Sequence, residues 1–332
     1  MVEISRDRLS QIFEKFNQLK IAVLGDLMLD RYVWGNVSRI SPEAPVPVVD
    51  VEKESACLGG AANVTLNIHT LGAEVLPIGL IGNDPSGTEI KTIFQRQGFS
   101  TEGLIKDNDR PTTVKTRIIA DCQHVVRSDY ESRDPITHDL EKEIVDLIKK
   151  HAETLQGIIL QDYNKGLLTL GLIQEVLELS KKYGIKTFVD PKYENFFAYK
   201  HATLFKPNRK ETSDKLGMKL TDVQQVQKAA ELLFEKLHCE ALLITLGEDG
   251  MMLFEPGKPV HHAKTKAVKV HDVSGAGDTV ISTLAVAASA GATLPEAVTL
   301  ANHAAGIVCG EVGVVPIHKK QLFDAMLEDE QA

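Results

Sequence analysis

The sequence predicts an α/β fold: a doubly wound, mostly parallel sheet with helices on both faces, plus a small β-sheet lid. Three observations predict it. Apolar runs of strand length alternate with amphipathic segments of helical period through most of the chain. Glycine-rich turns stand where strand patterns give way to helix patterns, at 57–63 and 272–278. Two extended stretches, 31–55 and 111–132, fit no βα unit.

The elements follow in order. The opening residues, "MVEISRDRLSQIFEKFNQLK", form a charged amphipathic helix with no hydrophobic signal core. "KIAVLGD" (20–26) is a strand, 63–72 a helix, 74–82 a strand, and 86–98 a helix ending at a glycine. A helix over 137–155, a strand at 157–163 and a helix over 169–183 continue the series. Strands at 185–190 and 203–208, a helix over 221–238 and a strand at 241–247 come next. "KAVKV" (266–270) alternates like a strand, and two small-residue helices, 277–290 and 294–309, complete the pattern. Within 31–55, Pro42, Pro45 and Pro47 exclude helix. Residues 111–132 alternate like a hairpin. The two stretches are expected to join as one lid sheet. Val33, Trp34, Val46, Val48 and Val51 make that sheet too apolar to leave wet, so a homodimer through the lid is expected. No linker or repeat divides the chain, which reads as a single domain over 1–332.

Composition narrows the function. The 332 residues are 43% apolar, enough for a sizeable core. Aromatics at 5% are too few for a base-stacking surface, and a net charge of −9 disfavours nucleic acid and anionic membranes. Cys57, Cys122, Cys239 and Cys309 form no C-x-x-C pair and read as buried thiols of a reducing cytoplasm. No apolar run reaches the roughly 20 residues of a membrane span.

The chemistry concentrates at "DVSGAGD" (272–278). Gly275, Ala276 and Gly277 can aim backbone N–H groups at one point, and the helix that follows adds the positive end of its dipole. Asp278, in the first turn, is placed to accept a proton from a hydroxyl while charge builds on a transferring phosphoryl group. The alternative is a carboxylate that only caps the helix. "GNDPSGTE" (82–89) has Thr88 where a P-loop needs lysine, and no G-x-S-x-G or H-E-x-x-H occurs. His261 and His262 read as a solvated strand end. In "CLGGAANVTLNIHTLG" (57–72), Gly59, Gly60 and Asn63 precede and open a helix; they suit recognition of sugar hydroxyls, or form a capped tight turn.

Together, "GGAANVTLNIHTLGAEVLPIGLIG" (59–82) and "DVSGAGDTVIST" (272–283) resemble the two signatures of the ribokinase-like (PfkB) sugar kinases. The resemblance covers nearly the whole chain. It implies a ribokinase-like fold, Asp278 as general base, and the N–H groups of Gly275, Ala276 and Gly277 as transition-state donors. It makes Asp30 a sugar-binding carboxylate, with Met28 replacing a polar residue common there. In "KPNRKE", Asn208 and Glu211 would organise the ATP phosphates and a Mg²⁺, Glu211 through water. Thr245 and Gly247 of "ITLGEDG", Ser274 and Asn302 would line the nucleotide. Thr283 stands where the family has Ala or Gly, which implies slightly looser helix packing. The resemblance also raises K⁺ near the 272–278 loop, as some members use.

"GDLMLDRYVWGNVSRISPEAPVPVV" (25–49), "QDYNKG" (161–166) and "DPK" (190–192) resemble the heptose 7-phosphate kinase branch of that family. This implies an acceptor sugar phosphate, phosphorylated on its anomeric hydroxyl, with Arg39, Arg127, Lys165 and Lys192 as candidate phosphate contacts and Lys192 the best placed. Many such kinases are fused to an adenylyltransferase; with no H-x-G-H motif, a stand-alone kinase is expected. The competing readings are a related kinase of fructose 1-phosphate, a pentose or a nucleoside, a non-catalytic sugar-phosphate or nucleotide sensor, and a nicotinamide-dependent oxidoreductase.

Overall fold

The computed structural model describes residues 2–121, 123–265, 273–311 and 313–330. Two expectations, the 266–270 strand and the features of Asp272, lie outside the described residues, as does Cys122.

The chain begins α1 (Arg6–Phe16), β1 (Lys20–Gly25), β2 (Leu27–Ile40), β3 (Pro47–Gly60), α2 (Ala61–Thr70), β4 (Glu74–Gly82) and α3 (Pro85–Arg96). It continues β5 (Leu104–Asp107), β6 (Val114–Ala120), β7 (Gln123–Tyr130), α4 (His138–His151), β8 (Gly157–Gln161), α5 (Leu170–Tyr183) and β9 (Lys186–Asp190). Then come β10 (Leu204–Phe205), α6 (Arg209–Leu216), α7 (Val223–Leu237), β11 (Ala241–Thr245), β12 (Met251–Phe254) and β13 (His261–Ala263). Helices α8 (Ala276–Ser289), α9 (Leu294–Cys309) and α10 (Lys319–Glu330) close it.

Nine strands form the main sheet in the order β13-β12-β11-β10-β9-β8-β1-β4-β5. It is parallel except at one edge, where β12 and β13 run antiparallel. Burial of both sheet faces explains why the central strands are apolar throughout. On β1, Ile21 and Val23 enter one core while Ala22 and Leu24 enter the other. The first core is capped by α1, α2, α8 and α9, the second by α4, α5 and α7. Strand order reverses between β1 and β8, since β4 and β5 continue one way and β8 to β11 the other. Such a switch point opens a crevice at the carboxyl ends of the strands.

The second sheet is the expected lid, in the order β3-β2-β6-β7. Its inner end reaches further in than the sequence pattern indicates. Strand β2 starts at Leu27, one residue beyond the end of β1, so Asp30 lies within the lid rather than in a loop after the first strand. Pro42 and Pro45 fall in the connection between β2 and β3. Trp34, Val46 and Val51 are exposed, Val51 by 54%, while Val33 and Val48 are half-buried.

Two expectations are corrected in detail. Of the described cysteines only Cys239 is buried; Cys57 and Cys309 are half-buried. Burial pushes the Cys239 thiol up to about 12 and the Cys57 thiol up to about 11. Thr283, where a small residue was expected, is fully buried in α8, and its hydroxyl has no hydrogen-bond partner. The departure from a small residue therefore leaves an unpaired polar atom.

Candidate active site

The site forms at the switch point, where the carboxyl ends of β1, β8, β9 and β10 meet the start of α8. Gly275 is the N-cap of α8 at φ +80°, a left-handed conformation that favours glycine. A Cβ there would come within 3.1 Å of Asn63 Nδ2. The Ala276 N–H turns back to the Val273 carbonyl at 3.3 Å, so this one of the three expected anion-binding groups is engaged within its own turn. Gly277 faces Lys206, whose ammonium lies 3.8 Å from where its Cβ would stand.

Asp278 does not cap its helix. Asn63 Nδ2 donates to its Oδ2 at 2.8 Å, while Tyr163 Oη and Gln161 Nε2 donate to its Oδ1 at 2.8 and 3.2 Å. The carboxylate is 6% exposed. Burial and the nearby Asp190 raise it, Asn63, Tyr163 and Lys206 oppose them in part, and it settles at about 6. A carboxyl poised there is ionised at neutral pH and remains basic enough to take a proton.

Cations and carboxylates alternate around it. Lys206, 3% exposed, pairs with Asp190 at 2.9 Å. Gln161 Nε2 also donates to Asp190, at 3.1 Å, and so ties the two carboxylates together. Lys192 pairs with Glu211, which in turn forms a reciprocal capping box with Asn208 at the start of α6. The ammonium of Lys192 lies 5.5 Å from the Tyr163 ring centroid, and that of Lys115, from the lid, lies 5.6 Å from it. A cavity of about 860 Å³ opens beside this cluster, lined by Lys192, Lys206, Asn208, Thr245, Gly247, Gly275, Ala276, Gly277, Asp278 and Asn302. Ser274 and Glu211 stand outside that lining.

On the far side of Asp278 lies the lid base. Asp30 is buried and pairs with Arg117 at 2.5 Å. Gly59 is required there, since a Cβ would meet Asp30 Oδ2 at 2.1 Å. Gly60 sits at φ +57°, and its backbone packs against the Asp26 carbonyl and Met28. The glycine pair thus lets the Asp30 carboxylate and the lid strand approach the start of α2. Asn63 links this side to Asp278 through its hydrogen bond to the carboxylate.

Of the expected phosphate contacts, the structure gathers Lys165 and Lys192 near the site. Lys165 pairs with Glu131 at 2.7 Å. Arg39 is 65% exposed beside Asp50 near the lid tip, nine residues along β2 from Asp30, or about 30 Å at strand rise. Arg127 is exposed and pairs with Asp129 on β7. His261 and His262 lie on the edge strand β13, and among the described residues no cluster of three or more His, Cys, Asp or Glu side chains could hold a metal. Sequence reasoning assigned no role to Gln161, Tyr163, Lys206 or Lys115. The first three carried a signal: polar residues that closely follow short buried strands sit where ligands bind in such sheets.

One further carboxylate shapes the loop. Asp26, the single residue between β1 and β2, accepts the N–H groups of Tyr163 at 2.8 Å and Lys165 at 3.2 Å. Burial, with Asp162 nearby, raises it to about 7.

Residues 18–320 match the model of the pfkB family carbohydrate kinases. The chain belongs to that family. As a pfkB-family member it is an ATP-dependent carbohydrate kinase. It is 41% identical over 97% of its length to a bifunctional protein HldE of Pelobacter propionicus, and 43% identical over 89% to one of Helicobacter pylori. It spans 66% and 63% of those relatives' own lengths. The pfkB fold is seen equally in solved structures. A ribokinase of Arabidopsis thaliana complexed with ribose and ATP superposes with a TM-score of 0.74 at 21% identity, over 93% of this chain and 98% of that one. Phosphofructokinase-2 of Escherichia coli in complex with substrates and products gives 0.76 at 18%, over 93% and 99%. Among the described residues no helix is long and apolar enough to cross a membrane.

Proposed function

We propose that the protein transfers the γ-phosphoryl group of ATP to the anomeric hydroxyl of D-glycero-D-manno-heptose 7-phosphate, a step towards ADP-heptose and the lipopolysaccharide core. The observation that carries the transfer is the buried Asp278, raised to about 6 and held by three donors at the edge of a large cavity. Support for the heptose comes from the "SRISPEAPVPV" lid segment and from the HldE relatives.

In this reading the nucleotide fills the cavity, with Thr245, Gly247 and Asn302 along its walls and Lys206 and Lys192 facing its phosphates. The sugar lies on the Asp30, Gly59 and Asn63 side. Asp278 accepts the hydroxyl proton as the oxygen attacks, and the start of α8 offsets the charge on the moving phosphoryl group. Closure of the lid excludes water, which limits wasteful hydrolysis of ATP. Both Glu211 oxygens are already engaged, one by Lys192 and one by the Asn208 N–H, so the site suits a Mg²⁺ met through water rather than directly. Such a Mg²⁺ would neutralise phosphate charge. Of the four phosphate candidates, Lys165 and Lys192 lie nearest the reacting groups. A K⁺ site at the 272–278 loop would include Asp272, outside the described residues.

The test is ATP consumption with heptose 7-phosphate against fructose 1-phosphate, ribose and adenosine. A kcat/KM at least tenfold higher for the heptose is expected. Equal or better turnover of another acceptor removes this assignment.

The exposed lid valines and Trp34 support a homodimer in which two lids cover each other's apolar face. Sedimentation at micromolar concentration is expected to give twice the 36.4 kDa chain mass. A monomer there refutes it.

A further inference from the structure

We propose that Tyr163 is the positioning residue of this kinase: its hydroxyl fixes the orientation of the Asp278 carboxylate and keeps it ionised. The proposal rests on Asp278 as general base and adds a residue to that role. Three observations carry it. The phenol donates to Asp278 Oδ1 at 2.8 Å, the shortest contact that oxygen makes. The ring also draws the ammonium groups of Lys115 and Lys192 to 5.6 and 5.5 Å from its centroid, a cation–π attraction that favours this orientation. The backbone is pinned as well, since the Tyr163 N–H donates to Asp26 at 2.8 Å.

Ring, backbone and hydroxyl are thus held at once, which is costly for a residue that only fills space. The groups facing the pair are Asp190 at the end of β9, Lys192 beyond it, Lys206 beyond β10, and Lys115 on β6, with neutral Asn63 and Gln161 completing the shell. Burial raises the phenol well above its usual range, so it stays protonated and can only donate to the carboxylate. A donor of this kind favours the ionised acid. Losing it must make Asp278 harder to ionise.

The experiment is Tyr163→Phe, which keeps the ring. In kcat/KM against pH, the acid limb is expected to move up by about one unit, as losing one charge-assisted hydrogen bond implies. Turnover at pH 6 should fall about fivefold, approaching tenfold at pH 5, and the ATP KM should stay within twofold. In an Asp278→Asn background the same change should add no further loss. A second readout needs no activity: the fall in Tm caused by Tyr163→Phe should be larger at pH 8, where Asp278 is ionised, than at pH 5. An unmoved acid limb, or a Tm loss equal at both pH values, overturns the proposal. High residual turnover in Asp278→Asn alone would instead sink the general-base reading, and the Tm comparison would still judge the Tyr163–Asp278 coupling.

Discussion

Asp278→Asn is expected to lower kcat by about 10²–10⁴-fold, the range that general-base catalysis supplies. The fold should survive, because the amide fills the same volume in α8. Its new N–H₂ would confront the Asn63, Gln161 and Tyr163 donors, so a small stability loss is also expected. The wild-type rate carries a matching pH signature. Asp278 must be ionised to act, and its value is about 6. The rate should therefore rise through pH 6 and level off above 7. In the Asn variant that limb should vanish with the rate. Stopped-flow or coupled ATP assays from pH 5 to 8 check both, and turnover within tenfold of wild type would remove the residue from its role.

Lys206→Met should have the largest effect on stability, about 3–5 kcal/mol, the cost of stripping one partner from a buried ion pair. The reasoning is local. Asp190 is 7% exposed, its ion-pair partner is Lys206, and what remains is the Gln161 amide at 3.1 Å and the more distant charge of Lys192. Methionine matches the stem of lysine but brings no charge. The Asp190 carboxylate would be left in the core without its counter-charge, and Asp278, which Lys206 helps to ionise, would become harder to ionise. Urea denaturation at pH 7.5 measures the loss. Adding Asp190→Asn should recover much of it, since a neutral amide needs no counter-charge. A single-variant cost below about 1 kcal/mol would show that water reaches the pair and screens it.

How much of this was legible beforehand differs between frame and site. The βα alternation declared the parallel sheet because strands buried on both faces read as continuous apolar runs, as in "KIAVLG" and "GIIL". Strand β12 was missed, and of its edge partner β13 only the His261-His262 strand end was read, both being short hairpin partners whose pattern, "MMLF" and "HHA", lacks alternation. Helix α6 was hidden because its eight residues have almost no apolar face; its start is fixed by the Asn208–Glu211 cap, which the N-x-x-E pattern assigned to ligand binding instead. At the site, the glycine turn and Asp278 stood out by spacing. Tyr163, Gln161 and Lys206 did not, because their roles come from three strand ends converging in space, and no local spacing encodes that. Lys192 was expected at a sugar phosphate. Its pairing with Glu211 places it on the wall of the large cavity, a contact between residues 19 apart that periodicity cannot show.

The first of the chain's passages between main sheet and lid, from β1 to β2, uses one residue, Asp26. A rigid swing of the lid about its root must therefore twist the backbone at that point, with no slack segment to absorb the turn. The same residue grips the loop bearing Tyr163 and Lys165. A displacement at the root of β2 therefore bears directly on the loop that carries Tyr163 and Lys165.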